Sequence, residues 1–197
     1  MVYTTSMILT PTITIDSDHL ASFNKQLKEF NQEPCVSQET YNGSGDMQGM
    51  TIDLKHIHAL QGNGMLVLIS SNDGDPVLVA RLIAAPVPQG AFPWSRKVVV
   101  MDRVRVHRDW IGEGYAPALY RWLSDRGYTV ISDSHQTQTS LAVWRKLGSQ
   151  GGVFTVNLND GTWRSYDPLK VEDWMLFGNN DLERYWGIRF LLPASGR

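Results

Sequence analysis

Two glycines, Gly112 and Gly114, stand between an apolar run that ends at Val106 and a helix-like segment that opens at Tyr115. Glycine tolerates positive φ and lets other groups come close to the backbone. The amides that open a helix carry partial positive charge, so such a turn suits an anion such as a pyrophosphate. The same spacing also serves a tight strand-to-helix turn with no ligand.

Three side chains near that turn could move protons. Asp102 lies in the preceding run, where alternation puts it on one face with Val98, Val100, Val104 and Val106. Desolvation there would raise its pKa toward that of a general base; alternatively it pairs with an arginine or marks a bulge at a sheet edge. Asp133 and His135 follow the next short apolar run, at the carboxyl end of an expected parallel pair, where ligands collect in open sheets. Ser134 between them would equally cap a helix beginning near Gln136.

Other chemistries find little support. His56 and His58 would share one face of a strand, but no third metal ligand follows at suitable spacing. There is no phosphate-loop lysine, no Ser-x-Gly elbow and no Cys–His arrangement. Cys35 is the single cysteine, so an internal disulfide is excluded and a reducing compartment fits.

The elements that must position these groups follow from the pattern. The 197 residues suffice for one domain with a packed core. A net charge of −2 argues against binding nucleic acid through global charge. Arg96, Lys97, Arg103, Arg105 and Arg108 nevertheless gather around one strand, the odd-numbered ones on one face, so a local nucleic-acid groove stays open. No apolar run approaches the roughly 20 residues of a membrane span, and Met1–Thr14 lacks the pattern of a secretory signal. A cytoplasmic location is expected.

Met7–Ile15 suits a strand, and a helix capped by Asp16 or Ser17 carries Leu20, Phe23, Leu27 and Phe30 at helical spacing, stopping at Pro34. Tyr41–Met50 reads as a loop and Thr51–Leu60 as ambiguous. Leu66–Ser70 and Val77–Ile83 make a hairpin around Asn72-Asp73-Gly74-Asp75. A strand at Val98–Val106, a helix over Tyr115–Arg126, a strand at Thr129–Ser132 and a helix over Thr137–Leu147 closed by Gly148 follow. Val153–Leu158 and Thr162–Tyr166 form a second hairpin. The expected architecture is α/β (α+β): a mixed, mostly antiparallel sheet with a parallel strand-helix-strand crossover and flanking helices.

The segment Val104–Ala116 resembles the acyl-CoA-binding motif of the GNAT superfamily of N-acetyltransferases. Gly114-Tyr115-Ala116 matches its Gly-x-Gly/Ala part, Gly112 stands where glycine is frequent, and Leu119-Tyr120 continues the helix similarly. Trp144-Arg145-Lys146-Leu147-Gly148 is similar to the end of the family's later helix. The resemblance spans 64–148, is best over Val98–Gly148, and leaves 166–197 as a divergent extension of a single domain. It also looks like GNAT-like proteins carried by tailed bacteriophages, which would place the protein in a host cytoplasm.

The resemblance implies acetyl-CoA as cosubstrate, bound by Val104, Val106, Gly112, Gly114, Tyr115 and Ala116. It implies transfer of the acetyl group to an amine of a small molecule, nucleotide or protein, with Asp102, Asp133 and His135 as acid–base candidates. Three positions depart from the family. Ile111 replaces the opening Arg/Gln, Glu113 stands where a basic residue is common, and Trp144 occupies the place of the proton-donating tyrosine. Indole cannot act as a general acid; Tyr115, Tyr120 and Tyr128 read as packing residues. A GNAT-like fold that binds or builds without catalysing is the alternative. The aromatic tail, with Trp174, Phe177, Trp186 and Phe190, offers a surface for a homodimer.

Overall fold

The computed structural model describes residues 17–34, 37–40, 47, 49–59, 62–85, 95–133, 137–158, 160–170 and 188–195. Met7–Ile15, His135 and most of the aromatic tail lie outside them.

The described elements run in the order α1 (Ser17–Gln32), β1 (Ser37–Thr40), β2 (Thr51–Ala59), β3 (Gly62–Ser70), β4 (Pro76–Ala85) and β5 (Lys97–Val106). A 3₁₀ turn at Arg108–Trp110 leads to α2 (Tyr115–Asp125), followed by β6 (Tyr128–Ser132) and α3 (Gln138–Ser149). Strands β7 (Phe154–Asn157), β8 (Trp163–Ser165) and β9 (Ile188–Leu192) complete the order. These strands form one mixed sheet ordered β1-β2-β3-β4-β5-β6-β9-β7-β8. Only β5 and β6 pair in parallel, joined through α2; the other pairs are antiparallel.

Helices cover both faces. On one, Phe23 and Phe30 of α1 pack on Leu66, Leu68 and Val79. The alternate residues of the same strands, Met65, Val67, Ile69, Leu78, Ala80 and Leu82, join Leu119, Leu123, Leu141, Trp144 and Leu147 of α2 and α3. The period of two along strands and of 3.6 along helices thus sorts these residues into two layers.

The expected hairpin pairs Ile69 with Leu78 around Gly74, whose φ is +87°. Of the ambiguous Thr51–Leu60 segment, Thr51–Ala59 is strand β2, paired along its length with β3. Thr137 is the N-cap of α3, its Oγ1 accepting from Ser140 N at 3.1 Å, so the helix starts after the Ser134 cap considered from the sequence. Gly148 does not close that helix, which continues to Ser149. Strand β9, from the segment read as an extension, lies inside the sheet between β6 and β7.

The largest departure is in β5. Arg81 pairs with Arg103 and Leu82 with Met101, so Asp102 is an extra residue bulged out of the ladder. A one-residue insertion reverses which face each following side chain takes. Val104 and Val106 therefore pack in the α2/α3 layer with Val99 and Met101. Val98 and Val100 belong instead to a separate cluster with Ile131, Val156 and Leu191. The single valine face expected from strict alternation is split at Asp102. The basic face is split likewise, separating Lys97 from Arg103 and Arg105.

Candidate functional site

The parallel ladder runs from Lys97 opposite Tyr128 to Met101 opposite Ser132 and stops there. Strand β5 continues to Val106 while β6 ends at Ser132, so the two strands part company and Asp102 and Asp133 are the first residues beyond the last pair. His107 N donates to Val77 O at 2.8 Å. By the alternation of an antiparallel ladder, Val106 and Val104 then turn their N–H and C=O groups away from β4, toward the open edge. Two carbonyls there are taken: Val106 O accepts from His19 Nε2 at 2.8 Å and Val104 O from Arg105 Nη1 at 3.1 Å. The amides of Val104 and Val106 remain on that edge.

The chain then enters the glycine turn. After Ile111 in extended conformation, Gly112 has φ +95° and Gly114, the N-cap of α2, has φ +94°. Both lie in the left-handed region, which explains why glycine stands at each. Glu113 N donates weakly to Trp110 O at 3.4 Å, and the first helical bond is Ala118 N to Gly114 O. Among the described residues the amides of Gly112, Gly114 and Ala116 have no acceptor. Pro117 has no N–H to leave orphaned, and no acidic residue lies in the first helical turn. Trp110 meets the buried Tyr115 ring edge to face at 5.7 Å, bracing the strand end against the helix start. Tyr115 thus contributes to the turn through its backbone. Glu113 is exposed, which leaves its carboxylate screened by water.

The proton-moving candidates divide. Asp102 is not set among valines: its Oδ2 lies 3.5 Å from Arg81 Nε and 3.8 Å from Arg103 Nε. It both pairs with arginines and marks a bulge, in the middle of the sheet and not at its edge. Asp133 lies beside Arg189 of β9, whose guanidinium loses basicity through burial and is partly restored by the Asp133 charge. Ser132 Oγ donates to Asp133 O and accepts from Phe190 N, tying the end of β6 to β9. His135 lies outside the described residues.

Trp144 is 1% exposed, stacked on Phe190 at 5.4 Å and edge to face with Tyr120 at 5.2 Å. Burial pushes the Tyr120 phenol well above its ordinary pKa. Both are core residues. Sequence reasoning did not single out His19 and Ser22, which α1 brings onto the end of β5, or Arg81, which β4 sets opposite Arg103. The only available signal was the polar i, i+3 spacing of His19 and Ser22 beside apolar Phe23.

Among the described residues no group of three or more His, Cys, Asp or Glu side chains could hold a metal ion. No described helix is long and apolar enough to cross a membrane. No protein-family model matches the chain, and no curated protein matches it.

Proposed function

We propose that the protein is an N-acyltransferase of the GNAT type, using acetyl-CoA to acylate an amine. One observation carries this: the parallel pair β5/β6 opens beyond Met101 and Ser132, and the freed edge of β5 leads straight into a left-handed glycine turn with unengaged amides. An open strand edge can pair with the amide-bearing arm of the cofactor, and the α2 terminus can hold its pyrophosphate.

In this reading Val104 and Val106 offer their amides to the cofactor arm, and Gly112, Gly114, Tyr115 and Ala116 cradle the pyrophosphate through their backbone. The amine attacks the thioester carbonyl, the C–S bond breaks, and CoA leaves as thiolate or thiol. The amine's proton passes to a carboxylate at the mouth of the gap, Asp102 or Asp133, directly or through water, with His135 as the further candidate. Holding both reactants in the gap contributes through proximity.

A second reading has its own support: a binding or structural protein on the same architecture. Trp144 is sealed in the core where the family's proton donor would stand, and Asp102 is engaged by two guanidinium groups. The deciding experiment is calorimetric titration with acetyl-CoA and CoA, followed by a thiol-release assay over a panel of amines. Binding with thiol release supports the enzyme, and binding without release supports the second reading. No heat and no thermal shift at millimolar ligand sinks the acyl-CoA assignment. Gly114→Trp, which fills the turn, is expected to abolish binding while the fold, checked by circular dichroism, persists.

A further inference from the structure

On the sheet face that carries α1, three arginines gather and two of them share one carboxylate. Arg81 of β4 and Arg103 of β5 are direct cross-strand partners. Strand alternation puts Arg81 on the same face as Val79, which packs against Phe23 and Phe30. Arg105, two residues beyond Arg103, donates from Nε to Ser22 Oγ of α1 at 3.1 Å. All three therefore lie on the face opposite α2.

Like charges directly opposite each other in an antiparallel pair destabilise it. Here the sole acidic partner within ion-pair distance, among the described residues, is Asp102, shared at 3.5 Å and 3.8 Å. The Arg81 contact has ion-pair distance without hydrogen-bond geometry, because Arg81 Nε is buried and has no hydrogen-bond partner. Arg105 is depressed in basicity by burial and then by the Arg103 charge. Two guanidinium groups share this carboxylate and Arg105, held by Ser22, adds a third cation, so the cluster carries two positive charges in excess.

We propose that Arg81, Arg103 and Arg105 form a binding patch for an oxyanion, a carboxylate or phosphate carried by the acyl acceptor. Guanidinium forks match both groups in bidentate geometry. Arg103 stands two residues beyond the last β5–β6 pair, so a small acceptor anchored there by its anion presents its amine to the mouth of the gap. The role assigned to the acceptor rests on the acyltransferase reading; anion binding does not.

The test uses inorganic phosphate and succinate as probes on the full chain, against sodium chloride at matched ionic strength. Thermal shift is measured alongside NMR of the arginine Nε–H groups in wild type, R103Q and R81Q/R103Q. Expected are an anion-specific rise in Tm, movement of the Arg81 and Arg103 Nε–H signals, and loss of both in the double variant. A stronger phosphate response assigns a phosphorylated acceptor, and a stronger succinate response a carboxylate.

Without added anion, R103Q should melt at or above wild type, because the substitution removes like-charge repulsion. A fall of several degrees would mark a structural ion pair and overturn the proposal. So would a wild type indifferent to both anions, or a shift retained in full by R81Q/R103Q. CoA affinity should be unchanged in the double variant. Anion binding without CoA binding leaves this inference standing and sinks the acyltransferase reading, and CoA binding without anion binding does the reverse.

Discussion

Gly148 lies flat against the ring of Tyr166: a β-carbon at position 148 would stand 2.6 Å from its Cδ1 and 2.7 Å from its Cε1. The ring cannot retreat easily, since Tyr166 is buried and meets Phe190 edge to face at 4.9 Å. Glycine is kept inside α3 for closeness of approach and not to end the helix. Gly148→Ala should therefore cost about 1–3 kcal/mol through overpacking, read as a lower urea midpoint with an unchanged slope. Combined with Tyr166→Ala, the two losses should fall short of their sum; simple additivity would show that the contact is not what holds glycine there.

Trp144 is expected to behave as a core residue and nothing else. Removing it as Trp144→Ala should destabilise by about 3–5 kcal/mol, measured by chemical denaturation. Trp144→Tyr introduces the phenol that the proposed acyltransferase reading would place at this position, yet sets it between Tyr120 and Phe190. It should lower stability and leave thiol release no faster than wild type. A clear gain in acetyl transfer would show that position 144 reaches the thioester.

The glycine turn allows a conformational effect to be read without a steric one. A β-carbon at Gly112 meets nothing within 4 Å, but φ is +95°. Gly112→Ala should cost roughly 1–2 kcal/mol, the penalty for forcing an L-residue into left-handed backbone. Either the turn keeps its shape at that cost in thermal stability, or it relaxes and CoA affinity falls. A variant equal to wild type in both would remove the argument that glycine is required.

Between β7 and β8, Asp160 accepts from Thr162 Oγ1 at 2.6 Å and Thr162 N at 2.8 Å. These bonds, the hydroxyl first, hold its pKa below the ordinary aspartate value. A carboxylate depressed on folding contributes stability above its unfolded pKa and loses it as pH falls through the folded one. The turn should hold at neutral pH and loosen only below about pH 4. Following the Thr162 amide by NMR from pH 7 to pH 2 checks this, and Asp160→Ala should abolish the titration. A Thr162 resonance that titrates near neutrality would contradict the assignment.

Local chemistry made much of the fold legible in the sequence. The apolar spacing of Phe23, Leu27 and Phe30 specified α1, and Asn72-Asp73-Gly74 the β3–β4 turn. Gly112 and Gly114 marked a strand-to-helix turn because only glycine enters left-handed backbone without penalty. The mixed sheet with one parallel crossover followed from the order of those elements. Each of these depends on contacts a few residues apart, which composition and period record.

Tertiary structure alone decided what depends on register between distant strands. The sequence left Asp102 open between a base among valines, an arginine partner and a bulge; the choice is made only when Arg81 pairs with Arg103 and Leu82 with Met101. That slip of one residue separates Val98 and Val100 from Val104 and Val106, and gathers Asp102 with two arginines. The length of the β5–β6 ladder, the arrival of His19 on Val106 and the insertion of β9 likewise arise from pairings across many residues. In the primary structure Asp102 was a carboxylate among valines, with an arginine partner or a bulge as the alternative. The pairing of β4 with β5 made it the shared partner of Arg81 and Arg103, because a strand's faces are set by its neighbour and not by its own period.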